Sequence, residues 1–126
     1  MSKRRTLTTS SSSRYKHRQS VFDMPFLKVY NCLVQKAERK GRLKAEADSV
    51  ITWLTGYESI EAVGDVTYGE FLSLAPSWNP GADMIKGPIC GVKVEDITDP
   101  LTKKMRQLDK LIDELAKGKP MEKILR

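Results

Sequence analysis

Histidine is nearly missing from this chain; His17 is the only one. That excludes a histidine-rich zinc site, and it leaves a nucleophile–histidine triad nothing to use but a residue near the N-terminus. Cysteine is scarce too. Cys32 and Cys90 stand far apart and follow no ligand spacing, so the expectation is two buried, reduced thiols in a reducing compartment. No apolar run approaches the roughly 20 residues that a membrane span needs, and the N-terminus lacks the apolar stretch of a secretory signal. No glycine-rich phosphate loop is present. Glu95 and Asp96 are adjacent, so they point apart and make no ready acid–base pair. Neither a metal nor a cofactor is expected.

Acid is absent from residues 1–19, which hold Lys3, Arg4, Arg5, Arg14, Lys16 and Arg18. Those charges account for the whole net charge of +6, so the rest of the chain balances its 16 acidic side chains with an equal number of basic ones. Residues 1–19 therefore read as a disordered, basic, Ser/Thr-rich tail, and residues 20–126 as a single domain. The tail has three readings: a solvated segment, a mitochondrial presequence, or an arm that binds nucleic acid weakly through phosphates. The presequence reading suffers because Leu7 is almost the only apolar residue available for an amphipathic face. Cytoplasmic location is preferred and mitochondrial location is the alternative.

What is present is helix. Residues 98–118 are the clearest element: Asp99 caps, Pro100 takes the first helical position, and Gly118 stands where a left-handed turn ends the helix. Leu101, Met105, Leu108, Ile112 and Leu115 recur at steps of four and three, with Leu111 widening the stripe. Asp113 and Lys117 can pair one turn apart. An earlier helix is expected from Asp23 as cap, with Phe22 stapled to Leu27 and a face of Phe26, Val29, Tyr30, Leu33 and Ala37, ending at Gly41. A second helix over Lys44–Thr55 presents Ala47, Val50, Ile51 and Leu54, with Gly56 as its stop. Short helices follow at Glu58–Val63, behind the capping box Thr67–Glu70, and at Pro120–Leu125. The first two helices have helix-turn-helix spacing. Glu46 and Asp48, however, stand where a DNA reader wants arginine, lysine, asparagine or glutamine.

Residues 83–97 admit two readings. As a strand, Cys90, Val92 and Val94 alternate with Gly91, Lys93 and Glu95. As a helix, Asp83 caps and Ile85, Ile89 and Val92 share a face. A strand needs a mate, and only Val63–Thr67 offers a weak one, so helix or irregular turn is preferred. This stretch also holds the sharpest chemical suggestion. Cys90 lies between Gly87 and Gly91, and Lys93 follows closely; a nearby lysine favours the thiolate. A pocket of Cys90, Lys93, Glu95 and Asp96 with Trp53 or Tyr57 is the candidate site.

The blocks Phe22-Asp23-Met24-Pro25-Phe26, Gln35 to Arg42, Trp53-Leu54-Thr55-Gly56-Tyr57, Ile89 to Ile97 and Asp99-Pro100-Leu101 through Leu125 carry a resemblance. Together they resemble the domain of unknown function 2200 family, small proteins found mostly in bacteria. The resemblance runs from about His17 to the C-terminus. It implies a small, mainly α-helical domain and brings no activity and no catalytic residues. Residues 1–16 look like an addition to the family pattern. Leu43 stands where that pattern often has a threonine cap, and Pro88 where it usually has an aliphatic residue.

The expected protein is thus an all-α bundle of four to five helices behind a basic tail. It is read as a non-enzymatic protein-interaction or regulatory module, with a homodimer suggested by the heptad-like stripe of residues 101–115. The alternative is a small enzyme or ligand-binding protein that uses the Cys90–Asp96 region. Weak nucleic-acid binding through the tail comes third.

Overall fold

The structure, a computed structural model, describes residues 21–126. The expectations for residues 1–19 lie outside the described residues. After residue 25 come five α-helices: α1 (Phe26–Arg39), α2 (Lys44–Thr55), α3 (Tyr68–Ser73), α4 (Pro100–Ala116) and α5 (Met121–Ile124). Among the described residues no helix is long and apolar enough to cross a membrane.

Helix α4 is the axis. Asp99 caps it by accepting the Thr102 N–H at 2.9 Å, Pro100 occupies the first turn, and Gly118 lies at φ +92° behind it. Met105, Leu108, Leu111, Ile112 and Leu115 are buried and Leu101 is half-buried. Helix α1 packs most extensively against α4, α2 packs against both, and α3 and α5 also pack on α4. The apolar stripe is spent in the chain's own core, so it no longer argues for a second copy.

The start of α1 departs from expectation. Asp23 does not cap it. Residues 21–23 are themselves helical, the chain turns at Pro25, and α1 begins at Phe26 with no side-chain cap. The missing partner comes from elsewhere in the chain: the Phe26 N–H donates to the Val66 carbonyl at 2.8 Å, and the Tyr68 N–H to the Met24 carbonyl at 2.8 Å. This Pro25–Thr67 bridge is antiparallel. Phe22 packs over Gly69, where a Cβ would meet it at 3.2 Å, instead of stapling to Leu27, which is 56% exposed. Val34 takes the buried place expected for Leu33, which is half-buried.

Leu43 does not cap α2 with its side chain; Glu46 supplies the closure. Its carboxylate accepts the Leu43 N–H at 2.9 Å and receives the Arg42 Nε and Nη2 donors at 3.1 and 3.0 Å. The remaining nitrogen of that guanidinium, Nη1, donates to the carbonyls of Leu115 and Lys119 at the end of α4. One arginine thus joins the α1–α2 turn to the α4 C-terminus. The Thr67–Glu70 capping box forms as expected, with bonds of 2.9 and 3.1 Å. The helix expected at Glu58–Val63 is reduced to a 3₁₀ turn, Glu61–Val63.

Residues 83–97, where helix or irregular turn is the preferred reading of the sequence, form no α-helix and are mostly irregular, with one small strand pair. Asp83 caps nothing; it sits inside a 3₁₀ turn, Pro80–Met84, capped by Asn79. The chain then forms a small antiparallel hairpin, β1 (Pro88–Ile89) and β2 (Val92–Lys93), and a further 3₁₀ turn at Val94–Asp96. The strand's mate lies within the segment itself. Cys90 and Gly91 have φ of +50° and +83°, the signature of a two-residue turn whose twist matches the flanking strands.

Candidate functional site

The hairpin and the 3₁₀ turn that follows it carry four of the six residues expected to form a site. Cys90 is exposed at the hairpin's tip, Lys93 on β2, and Glu95 and Asp96 on the 3₁₀ turn. Glu95 acts on the hairpin itself. Its carboxylate accepts the Gly87 N–H at 2.9 Å, which holds its pKa below the ordinary carboxylate range, with Lys93 and Lys86 adding to the effect. Lys110 of α4 donates to the Pro88 carbonyl at 2.9 Å and pins the other strand. The two aromatic members have other neighbours. Trp53 lies under Gly81, whose Cβ would meet the indole at 3.0 Å. Tyr57 stacks on Phe71 at 5.2 Å and donates its hydroxyl to the Phe71 carbonyl at 2.9 Å. Cys32 and Cys90 are both exposed and unpaired, which corrects the expectation of buried thiols. Cys32 falls on the outward side of α1 and Cys90 on a turn, and no neighbour among the described residues covers either.

Three concavities are lined by other residues. The first, about 350 Å³, lies between the 3₁₀ turn at residues 80–84 and the start of α4. Gln107 is its buried anchor. The Trp78 Nε1 donates to its Oε1 at 2.9 Å, and its Nε2 reaches the Ala82 carbonyl at 3.4 Å. The Lys104 ammonium covers the Trp78 ring 4.9 Å from its centroid. The polar groups here satisfy one another and hold the loop to α4.

The second, about 510 Å³, opens beside the C-terminal end of α4 and is lined by Lys110, Lys117, Lys119, Lys123, Asp113 and Glu114 among others. Its charges are largely paired: Lys36 and Lys117 with Asp113, Lys119 and Arg126 with Glu114.

The third, about 320 Å³, is a groove between α1, the start of α2 and residues 60–64, lined by Leu27, Tyr30, Lys44, Ile60, Glu61 and Gly64. Tyr30 and Ile60 are buried beneath it, and Leu27 stands exposed at its edge. The Tyr30 hydroxyl donates to Asp48 at 2.6 Å. Burial, that bond, and the nearby charges of Asp48, Glu61 and Glu38 push the phenol well above its ordinary pKa. Three carboxylates therefore bear on one tyrosine. The Lys44 ammonium, 5.9 Å from the ring centroid, lines the groove together with Glu61. Sequence reasoning missed this site, although a signal existed. Residues 45–85 hold seven carboxylates (Glu46, Asp48, Glu58, Glu61, Asp65, Glu70 and Asp83) and neither lysine nor arginine. A balanced body is thus polarised along the chain, with one acidic segment set between basic ones.

Among the described residues there is no group of three or more histidine, cysteine or carboxylate side chains placed to hold a metal ion. The fold is shared with the crystal structure of an uncharacterized protein, SP1917. The TM-score is 0.79 and the identity 45%, over 85% of this chain and 91% of that chain. No curated protein matches the chain. Residues 20–126 match the DUF2200 model, whose description is "uncharacterized protein conserved in bacteria", and the chain belongs to that family.

Proposed function

We propose that this protein is an interaction module of regulatory type, and that its working surface is the groove of Leu27, Tyr30 and Ile60. The observation that carries the reading is the pairing of an apolar floor with two carboxylates: Glu61 lines the groove beside Lys44, and Asp48 accepts the Tyr30 hydroxyl. Tyr30 and Ile60 are buried beneath the groove and Leu27 stands exposed at its edge. Apolar floors hold a side chain by burial, while the charges around them select the partner and steer its approach. The fitting partner is a basic polypeptide segment with at least one large apolar or aromatic residue. The cytoplasm is the compartment proposed for this work, supported by two exposed, unpaired thiols.

A synthetic helical peptide of alternating leucine and lysine pairs serves as the probe. Titrated into the full-length protein, it is expected to move the amide signals of Leu27, Tyr30, Ile60 and Glu61 in a saturable way. Glu61→Lys and Leu27→Ser should each weaken binding by about tenfold or more, with the melting temperature unchanged because both side chains are exposed. Binding indifferent to both substitutions, or perturbations clustered on the hairpin instead, overturns the reading.

A further inference from the structure

The concavity at the end of α4 holds more cation than its acids can take. Lys110, Lys117, Lys119 and Lys123 line it, against two carboxylates, Asp113 and Glu114. Each carboxylate already has two cations. Asp113 pairs with Lys117 at 3.1 Å and with Lys36, which comes from α1, at 3.4 Å. Glu114 pairs with Lys119 at 3.4 Å and with Arg126 at 2.7 Å. Among the described residues neither Lys110 nor Lys123 pairs with a carboxylate; Lys110 donates to the Pro88 carbonyl, and Lys123 stands exposed. Glu122, the next acid in the chain, does not line the concavity. Six cations therefore gather on two acids.

Lysines often collect at a helix C-terminus because its carbonyls carry partial negative charge. Here that charge is already covered. The Arg42 Nη1 donates to the carbonyls of Leu115 and Lys119 at 3.0 and 2.9 Å. The N–H groups of Lys117, Gly118 and Lys119 close on the carbonyls of Asp113, Leu115 and Glu114. The ammoniums of Lys117, Lys119 and Lys123 are left free of that task.

We propose that this concavity, about 510 Å³, binds a compound that carries a chain of phosphates. Lys117, Lys119 and Lys123 meet the phosphates as point charges, and Asp113 and Glu114 hold the first two in place. An oligophosphate brings about three or four negative charges, which the excess of cation matches; a single phosphate brings about two at most. The volume is that of a small-molecule cleft. No aromatic side chain lines it, so it grips phosphates and leaves a base unstacked. The site is independent of the groove at Tyr30 and stands or falls without it.

The test titrates the full-length protein with tripolyphosphate, ATP and inorganic phosphate at about 50 mM salt, with no divalent cation. Tripolyphosphate and ATP are expected to move the amide signals of Lys117, Gly118, Lys119 and Lys123 in a saturable way, with affinities within about threefold of each other. Inorganic phosphate should bind about tenfold more weakly. Raising the salt to about 0.5 M should weaken all three by about tenfold or more. Lys117→Ala/Lys123→Ala should lower the affinity for tripolyphosphate by about tenfold. Lys28→Ala/Lys93→Ala removes the same charge elsewhere and should leave that affinity within about twofold. All four side chains are exposed, so both variants keep the fold. Equal losses in the two variants, shifts confined to residues 1–19, or no saturable shift overturn the proposal. ATP binding about tenfold more tightly than tripolyphosphate overturns it too, because the base would then carry the recognition.

Discussion

The Arg126 guanidinium closes on the Glu114 carboxylate, with Nη2 2.9 Å from Oε1 and 2.7 Å from Oε2. Glu114 lies in the buried face of α4 with its side chain 9% exposed, and Lys119 at 3.4 Å is its second cation among the described residues. Arg126→Ala should therefore lower stability by about 1–3 kcal/mol, the cost of leaving a buried charged group short of a partner. Urea denaturation measures it. Lys117, exposed and paired with an Asp113 that also has Lys36, provides the control: Lys117→Ala should change stability by no more than about 0.5 kcal/mol.

Cys90 holds a left-handed backbone that suits asparagine or glycine better than cysteine. Cys90→Asn should stabilise the protein by about 1 kcal/mol. Thermal unfolding in reducing buffer reads the change. A loss of stability instead would mean that the thiol makes a contact worth more than the strain it sits in.

Both cysteines are exposed, so native protein should react with iodoacetamide at two sites without denaturant. Mass spectrometry counts the adducts. A single adduct, or none, would contradict the placement of Cys32 on the outer face of α1 or of Cys90 on the turn.

Glu46 gives the acid limb of the stability curve its shape. The hydrogen bonds from Arg42 and from the Leu43 N–H bring its carboxyl down from 4.5 to about 2. The unfolded chain therefore binds this proton more readily than the folded one. The stabilisation is present above about pH 4.5 and is lost as the pH falls toward about 2. Glu46→Gln should flatten that part of the curve, measured as melting temperature against pH, and should leave the curve's shape above about pH 6 unchanged.

Gly81 sits where a Cβ would meet the Arg126 carbonyl at 2.7 Å and the Trp53 ring at 3.0 Å. Gly81→Ala should cost about 1–3 kcal/mol by overpacking. Gly64→Ala is the comparison: nothing lies within 4 Å of its Cβ, so any cost there comes from its φ of +83° alone.

What was legible in the sequence was local. Asp99, Pro100 and the leucine stripe define α4 from one continuous stretch, and Thr67 with Glu70 defines the start of α3 from a single turn. What escaped was set by residues distant in the chain. Asp23 has the chemistry of a cap, yet the Phe26 N–H finds the Val66 carbonyl, far along the chain. The 83–97 hairpin was missed for another reason. Its mate was sought elsewhere in the chain, whereas the Cys90-Gly91 turn supplies it on the spot; cysteine is a poor advertisement for a turn that asparagine would have announced. The candidate pocket grouped Cys90 with Trp53 and Tyr57 by chemical interest. Spatial neighbours follow packing, and each aromatic ring had a closer claim on it, from Gly81 and from Phe71. The groove could have been found by asking where lysine and arginine are missing.

The bridge between Pro25 and Thr67 also has a kinetic consequence. The turn between α1 and α2 closes over a few residues and can form early, but the front of α1 is sealed only when residues 66–68 return to it across about forty residues of chain. The same two hydrogen bonds, Phe26 to Val66 and Tyr68 to Met24, must break together when this corner opens. The Phe26 and Tyr68 amides should then exchange with solvent at a common rate, faster than Leu111 and Ile112 at the middle of α4. The corner is thus a small unit of its own, held by two bonds that open as one.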